Sequence, residues 1–168
     1  MKLEHEEIEK IIAAMAAGVR DLQAATGRRD LYVIGIHTGG VWVAERLARL
    51  LGMQEPLGEL NIAFYRDDFS RIGIHPLVKP SNLPVDIDDR HLLLVDDVLQ
   101  TGRTIRAAMN EIFDWGRPAS IALAVLVERG GRELPIRADV VGRRLDLKPT
   151  EHVKLSGPEP LALEITST

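Results

Sequence analysis

The segment Leu92-Leu-Leu-Val-Asp-Asp-Val-Leu-Gln-Thr-Gly-Arg-Thr104 constrains this chain more than any other stretch. Four consecutive aliphatics lead directly into two acids, then into a small-residue loop that opens a helix. A continuous apolar run of this kind, rather than an alternating one, is expected of a strand covered on both faces, as in parallel sheets. The loop presents backbone N–H groups at a helix N-terminus, where the macrodipole favours an anion such as phosphate. Thr101 and Thr104 add hydroxyl donors, Gly102 lets the backbone approach closely, and Arg103 brings positive charge. Asp96 and Asp97 would repel a phosphate laid directly on them, but they suit the hydroxyls of a sugar attached to it. The GxxxxGK[ST] spacing of a Walker A loop is absent.

The rest of the chain supplies companions for that strand. Ile8, Ile11, Ile12, Met15, Val19 and Leu22 form a helical stripe within residues 5–26, with Gly27 as its stop. Leu31–Ile36 reads as a buried strand, Val41–Leu51 as a helix closed by Gly52, and Leu60–Tyr65 as a second strand. His91–Val95, Thr104–Trp115 and Ile121–Val127 follow as strand, helix and strand, and short strands and turns are expected after Asp139. This alternation predicts an α/β fold with a mostly parallel central sheet flanked by helices. Ligands in such sheets bind beyond the carboxyl ends of the strands. Four breaks fall there: His37–Gly40, Arg66–Asp68, Asp96–Thr104 and Glu128–Gly131. Residues 66–90 carry Pro76, Pro80 and Pro84 without a clear period, and a loop of that length is often a functional lid.

Composition narrows the class. A chain of 168 residues with 45% hydrophobic and 27% charged residues is expected to form a single domain spanning 1–168. Apolar runs fall well short of the roughly 18 residues of a membrane span, and the acidic start lacks a secretory pattern, so a cytoplasmic address is expected. The absence of cysteine excludes a disulfide framework, a thiolate nucleophile and Cys-ligated metal. A net charge of −4 argues against a chain built mainly to coat nucleic acid, although Glu128–Lys154 alone carries +2.

The Leu92–Thr104 segment resembles the phosphoribosyl-pyrophosphate (PRPP) signature of type I phosphoribosyltransferases. Phe64–Phe69, Leu83–Ile87, Gly116–Ile121 and Val125–Asp139 further resemble the PyrR family, pyrimidine operon regulators with uracil phosphoribosyltransferase activity. The resemblance implies a type I phosphoribosyltransferase-like fold with a lid over about 66–90 and a small hood from about 128–168. It implies uracil and PRPP as substrates, UMP and pyrophosphate as products, UMP or UTP as regulatory ligands, and Mg²⁺ bound through PRPP with no direct protein ligand. Asp96 and Asp97 would hold the ribose hydroxyls, and the Val98–Leu99–Gln100–Thr101–Gly102–Arg103–Thr104 stretch would receive the 5′-phosphate. Thr38, Gly39 and Gly40 would receive the pyrophosphate, Arg66 would face it or the lid, and Arg129 with Val153 would help form the hood over the base.

Two positions distinguish this chain within the resemblance. Purine-type relatives commonly place an acid three residues after the second signature carboxylate; here Gln100 stands there, which favours a pyrimidine. Many relatives carry an arginine at the pyrophosphate turn, where this chain has Gly39. Two further readings stay open: an RNA-binding attenuation regulator with little catalysis, and a purine phosphoribosyltransferase on the same scaffold. Leader RNA would need a basic surface. The candidate patch, Arg129, Arg132, Arg137, Arg143, Arg144 and Lys148, is interleaved with acids and also reads as a solvated face. A homo-oligomer, dimer or higher, is expected from the size of the sheet and the N-terminal apolar stripe.

Overall fold

The computed structural model describes residues 1–62 and 80–168. Arg66, the Arg66–Asp68 break and the 66–79 portion of the expected lid lie outside the described residues. Along the rest of the chain run β1 (Lys2–Leu3), α1 (His5–Thr26), β2 (Leu31–Ile36), α2 (Gly39–Leu50), β3 (Gly58–Leu60), β4 (His91–Leu99), α3 (Arg103–Trp115), β5 (Ser120–Arg129), β6 (Val140–Leu145), β7 (Glu151–Ser156) and β8 (Ala162–Ser167). Five strands form a parallel sheet in the order β3-β2-β4-β5-β6, and β1, β8 and β7 form a small antiparallel sheet.

The continuous apolar strands are explained by cover on both faces. Leu31 and Val33 of β2 and Leu93 and Val95 of β4 pack toward α1 and α2; Tyr32, Ile34, Leu92 and Leu94 pack toward α3. Each strand therefore alternates between two apolar layers instead of between core and water. Helix α1 starts at a capping box, in which Glu4 and Glu7 each satisfy the other's backbone N–H, and ends at Gly27 with φ of 72°.

Three expected boundaries move, each for a packing reason. Helix α2 begins at Gly39 rather than Val41, because both glycines are drawn against β4: a β-carbon on Gly40 would lie 2.7 Å from the Val95 carbonyl oxygen. The strand expected from Leu60 starts earlier, pairing as Gly58–Leu60 with β2, whose Ile36 lies opposite Leu60; residues 63–65 of that expectation lie outside the described residues. Strand β4 runs on to Leu99, so Asp96 and Asp97 are strand residues; β5 extends alongside, with Val98 opposite Val127 and Leu99 opposite Glu128.

The tail divides. Val140–Leu145 joins the parallel sheet beside β5, whereas β7 and β8 pair with each other and with β1 from the other end of the chain. The stem at 81–90, expected within the lid, is packed: Leu83 and Ile87 are buried, and Asn82 exchanges backbone hydrogen bonds with Glu59. Arg46 fastens the small sheet to the helices, reaching Glu9 on α1, the Trp42 carbonyl on α2, and Pro158 and Glu159 in the β7–β8 turn. At the amino ends of the strands, Arg90 grips Glu55 through two hydrogen bonds and holds its carboxyl below the usual range. Burial pushes the adjacent Tyr32 phenol up to about 12, and it donates to the Pro56 carbonyl at 2.6 Å.

Candidate active site

The carboxyl ends of β2 and β4 converge on two adjoining cavities. One, of about 310 Å³, is lined by His37, Thr38, Gly39, Trp42, Asp96 and Asp97 among others. The second, of about 260 Å³, is lined by Gln100, Thr101, Gly102, Ile105 and Val153 among others, and Val98 and Thr104 border both. Residues 60 positions apart in the chain therefore share one opening, because parallel strands bring all their carboxyl ends to one rim.

The acids line the larger cavity, next in the chain to Val98, which borders both. Asp96 is buried and its carboxylate accepts the Asp97 backbone N–H at 2.9 Å; Asp97 in turn accepts the Val98 N–H at 2.9 Å. Such backbone donors fix the orientation of a carboxylate. Asp97 lies directly against the Cα of Gly39, so that a β-carbon at Gly39 would collide with its carboxylate. Gly39 therefore lets Asp97 occupy the space beside the turn after β2. His37 begins that turn, with its N–H on the Leu60 carbonyl and Nε2 at 3.0 Å from Glu59.

The loop after β4 is a cradle of backbone donors. Gly102, with φ of 93°, is the N-cap of α3, and the Arg103 N–H donates to Thr101 Oγ1 at 3.1 Å. The positive φ is accessible to glycine at little cost. Gly102, Thr104 and Ile105 line the smaller cavity, at the positive end of the α3 dipole.

Three expected site residues are placed differently. Arg103 is largely exposed, pairs with Glu133 at 3.4 Å and lines neither cavity. Arg129 is buried and lines neither cavity, donating to the Glu151 carbonyl at 2.5 Å and the Lys148 carbonyl at 3.0 Å; it holds the turn that leads into β7. Gly40 lies beneath the cavity wall rather than on it, packed on Val95. Val153 does line the smaller cavity. Trp42, Leu155 and Ile62 also line the larger cavity, although no local motif marked them; they are apolar residues of ordinary helix and strand patterns.

The basic patch is partly consumed by the fold. Arg132 and Arg144 both pair with Glu128, at 3.3 and 2.9 Å, and Arg129 is buried. Arg137 and Lys148 are exposed and Arg143 is half-buried; the described residues show no ion pair for these three.

Comparison with known proteins agrees with this geometry. Residues 2–155 match the family described as phosphoribosyl transferase domain. The chain is 61% identical over 160 residues to the bifunctional protein PyrR of Nitrosococcus oceani, covering 94% of this chain and 90% of that one. It is 58% identical over 155 residues to the bifunctional protein PyrR of Pseudomonas aeruginosa, covering 92% and 91% of the two chains. Among solved structures, a purine phosphoribosyltransferase from Pyrococcus horikoshii superposes with a TM-score of 0.62 at 26% identity, covering 83% of this chain and 84% of that one. A hypoxanthine-guanine phosphoribosyltransferase from Bacillus anthracis superposes with a TM-score of 0.72 at 17% identity over 99% and 98% of the two chains, a likeness of fold alone. The type I phosphoribosyltransferase fold is thereby established.

Proposed function

Because the chain belongs to the PyrR family of phosphoribosyltransferases, we propose that it converts uracil and PRPP to UMP and pyrophosphate in the cavities at the carboxyl rim. The observation that carries this reading is the pairing of Asp96 and Asp97 with a helix-capping cradle in adjoining cavities. A sugar phosphate needs those two chemistries at adjacent points. The 5′-phosphate would rest on the N–H groups and hydroxyls of Gln100–Thr104, and the ribose hydroxyls would donate to Asp96 and Asp97. The pyrophosphate would lie at Thr38–Gly39, on the opposite wall of the larger cavity. Val153 and the small sheet would act as the hood over the base, with Arg129 setting its position.

As uracil N1 bonds to C1 of the ribose, the bond from C1 to the pyrophosphate oxygen breaks and its electron pair leaves with pyrophosphate; the N1 proton is released. The sugar passes through a cationic stage, so the chain's task is to hold C1, base and leaving group in line while Asp96 and Asp97 fix the ring. The nearby carboxylates also favour positive charge on the sugar. Among the described residues, no cluster of three His, Cys, Asp or Glu side chains could hold a metal by itself. The donor set, two carboxylates beside substrate hydroxyls and phosphates, fits Mg²⁺, which keeps several waters and is commonly held through substrate. When bound, Mg²⁺ would supply positive charge to the departing pyrophosphate. Arg66, which lies outside the described residues, would add to it as the family resemblance implies.

Pyrophosphate release with uracil, orotate and hypoxanthine offered separately tests the assignment. Turnover with uracil alone is expected, and turnover with hypoxanthine alone would replace it with a purine enzyme. A regulatory role through pyrimidine-operon leader RNA is the second part of the proposal, supported by the bifunctional relatives. Its basic contacts would be Arg137, Arg143 and Lys148. Leader-RNA affinity falling steeply with salt is expected; no binding at low salt would remove this part. Among the described residues no helix is long and apolar enough to cross a membrane. Action in the cytoplasm as a homo-oligomer completes the proposal.

A further inference from the structure

Arg132 lies outside both cavities, yet its guanidinium is committed to the loop that forms one of them. Its Nε donates to the Gln100 carbonyl at 2.8 Å, Nη1 to the Ile136 carbonyl at 2.7 Å, and Nη2 to Glu128 Oε1 at 3.3 Å. The backbone beside it continues the contact: the N–H groups of Glu133 and Leu134 both donate to the Thr101 carbonyl, at 2.9 and 3.1 Å. Two successive loop carbonyls are thus drawn toward the 131–136 segment. In a trans peptide the C=O and the following N–H point in opposite directions. Drawing in the Gln100 carbonyl therefore turns the Thr101 N–H the other way, and drawing in the Thr101 carbonyl does the same for the Gly102 N–H. These are N–H groups of the loop that lines the smaller cavity.

We propose that Arg132 is a positioning residue for the sugar-phosphate site, holding the Gln100–Thr101 peptide so that its N–H faces the bound phosphate. This rests on the reading of Gln100–Thr104 as the phosphate cradle. Arginine suits the task because its planar fork delivers several donors at fixed angles, whereas lysine offers a single ammonium point. Glu128, which also accepts from Arg144 at 2.9 Å, sets the fork's orientation from the end of β5. With each of its nitrogens donating within the fold, Arg132 is a strut of the site rather than a free surface cation.

The test compares two probes that differ in which wall they touch. Binding of ribose 5-phosphate and of magnesium pyrophosphate is measured by calorimetry on the full chain, on Arg132→Gln and on Arg132→Lys, with Tm recorded for each. Arg132→Gln is expected to weaken ribose 5-phosphate roughly tenfold, from the loss of a charge-assisted hydrogen bond, and to leave pyrophosphate within about twofold. In turnover, KM for PRPP should rise more than kcat falls. Arg132→Lys, which is the fallback if the glutamine variant does not fold, should show a smaller change in the same direction. Unchanged ribose 5-phosphate affinity in the variants, or an equal loss for both probes, overturns the role of Arg132. Failure of the unaltered protein to bind ribose 5-phosphate overturns the cradle itself, and the proposal with it.

Discussion

The two turns that face each other across the cavities are held by opposite means. In the turn after β2 the two glycines are closely packed: Gly39 abuts Asp97, and Gly40 abuts the backbone of Val95 and Asp96. At the glycines it is held by the lack of room to move, while His37 anchors its start to Leu60 and Glu59. The loop after β4 is open to the cavity and is held from behind by hydrogen bonds from a segment about 30 residues later in the chain. Close packing tolerates almost no added volume, while a hydrogen-bonded brace can lose one member and relax. The two walls should therefore fail differently when altered.

Gly40→Val should give the largest effect. A β-carbon there would lie 2.7 Å from the Val95 carbonyl oxygen and 3.0 Å from Asp96 Cα, both backbone atoms that cannot swing aside. Overpacking of this kind costs about 3 kcal/mol, or a Tm decrease of roughly 6–12 °C for a chain of this size. Calorimetry showing an unchanged Tm would mean the first wall is not held by packing.

Asp97→Asn separates chemistry from stability in the larger cavity. Loss of a charged acceptor for a ribose hydroxyl, worth about 1.5–3 kcal/mol, should lower kcat/KM for PRPP roughly 10- to 100-fold with little change in Tm. A variant that turns over as fast as the unaltered protein would remove Asp97 from the sugar site. On the braced wall, Gly102→Ala forces a β-carbon into a left-handed conformation at φ of 93°, where it also meets the Ile136 side chain at 3.0 Å. A cost of about 1–2 kcal/mol follows, seen as a Tm decrease of roughly 2–8 °C. A drop as large as that of Gly40→Val would erase the distinction between the walls.

The smallest expected effect lies behind the cradle, on α3. Burial pushes the Glu111 carboxyl above its ordinary range, against a lowering hydrogen bond from Ser81, and Asp114 adds to the upward push. One of its oxygens, Oε2, is buried without a hydrogen-bond partner. A carboxyl whose pKa is raised by folding holds its proton more tightly in the folded chain. Its contribution is present below the unfolded value and is lost as pH rises through the raised one. Glu111→Gln should therefore raise Tm near about pH 7 and make no difference near about pH 4. A lower Tm at neutral pH would show that the charge is needed where it sits.

Much of this organisation was legible along the chain. Leu31–Ile36 is a strand at the expected residues and His5–Thr26 a helix at the expected residues, because burial on two faces and an amphipathic stripe leave their periods in the local order of residues. The Asp96–Thr104 signature could be read for the same reason: a strand, its acids and the helix-opening loop are contiguous. Arg132 and Arg129 could not be assigned that way. Each donates to carbonyls 19 to 32 residues away, and an arginine in a charged stretch looks alike whether it braces a loop or meets solvent.

By itself, then, the order of residues determined the elements, the parallel sheet and the chemistry gathered at the ends of its strands, since those depend on neighbours in the chain. Only the tertiary structure decided that α2 starts at its glycines, that β1 closes the small sheet with β8, and that Arg46, Arg129 and Arg132 are struts. Those outcomes depend on contacts between residues far apart in the chain, where space and unpaired carbonyls, rather than local preference, select the partner.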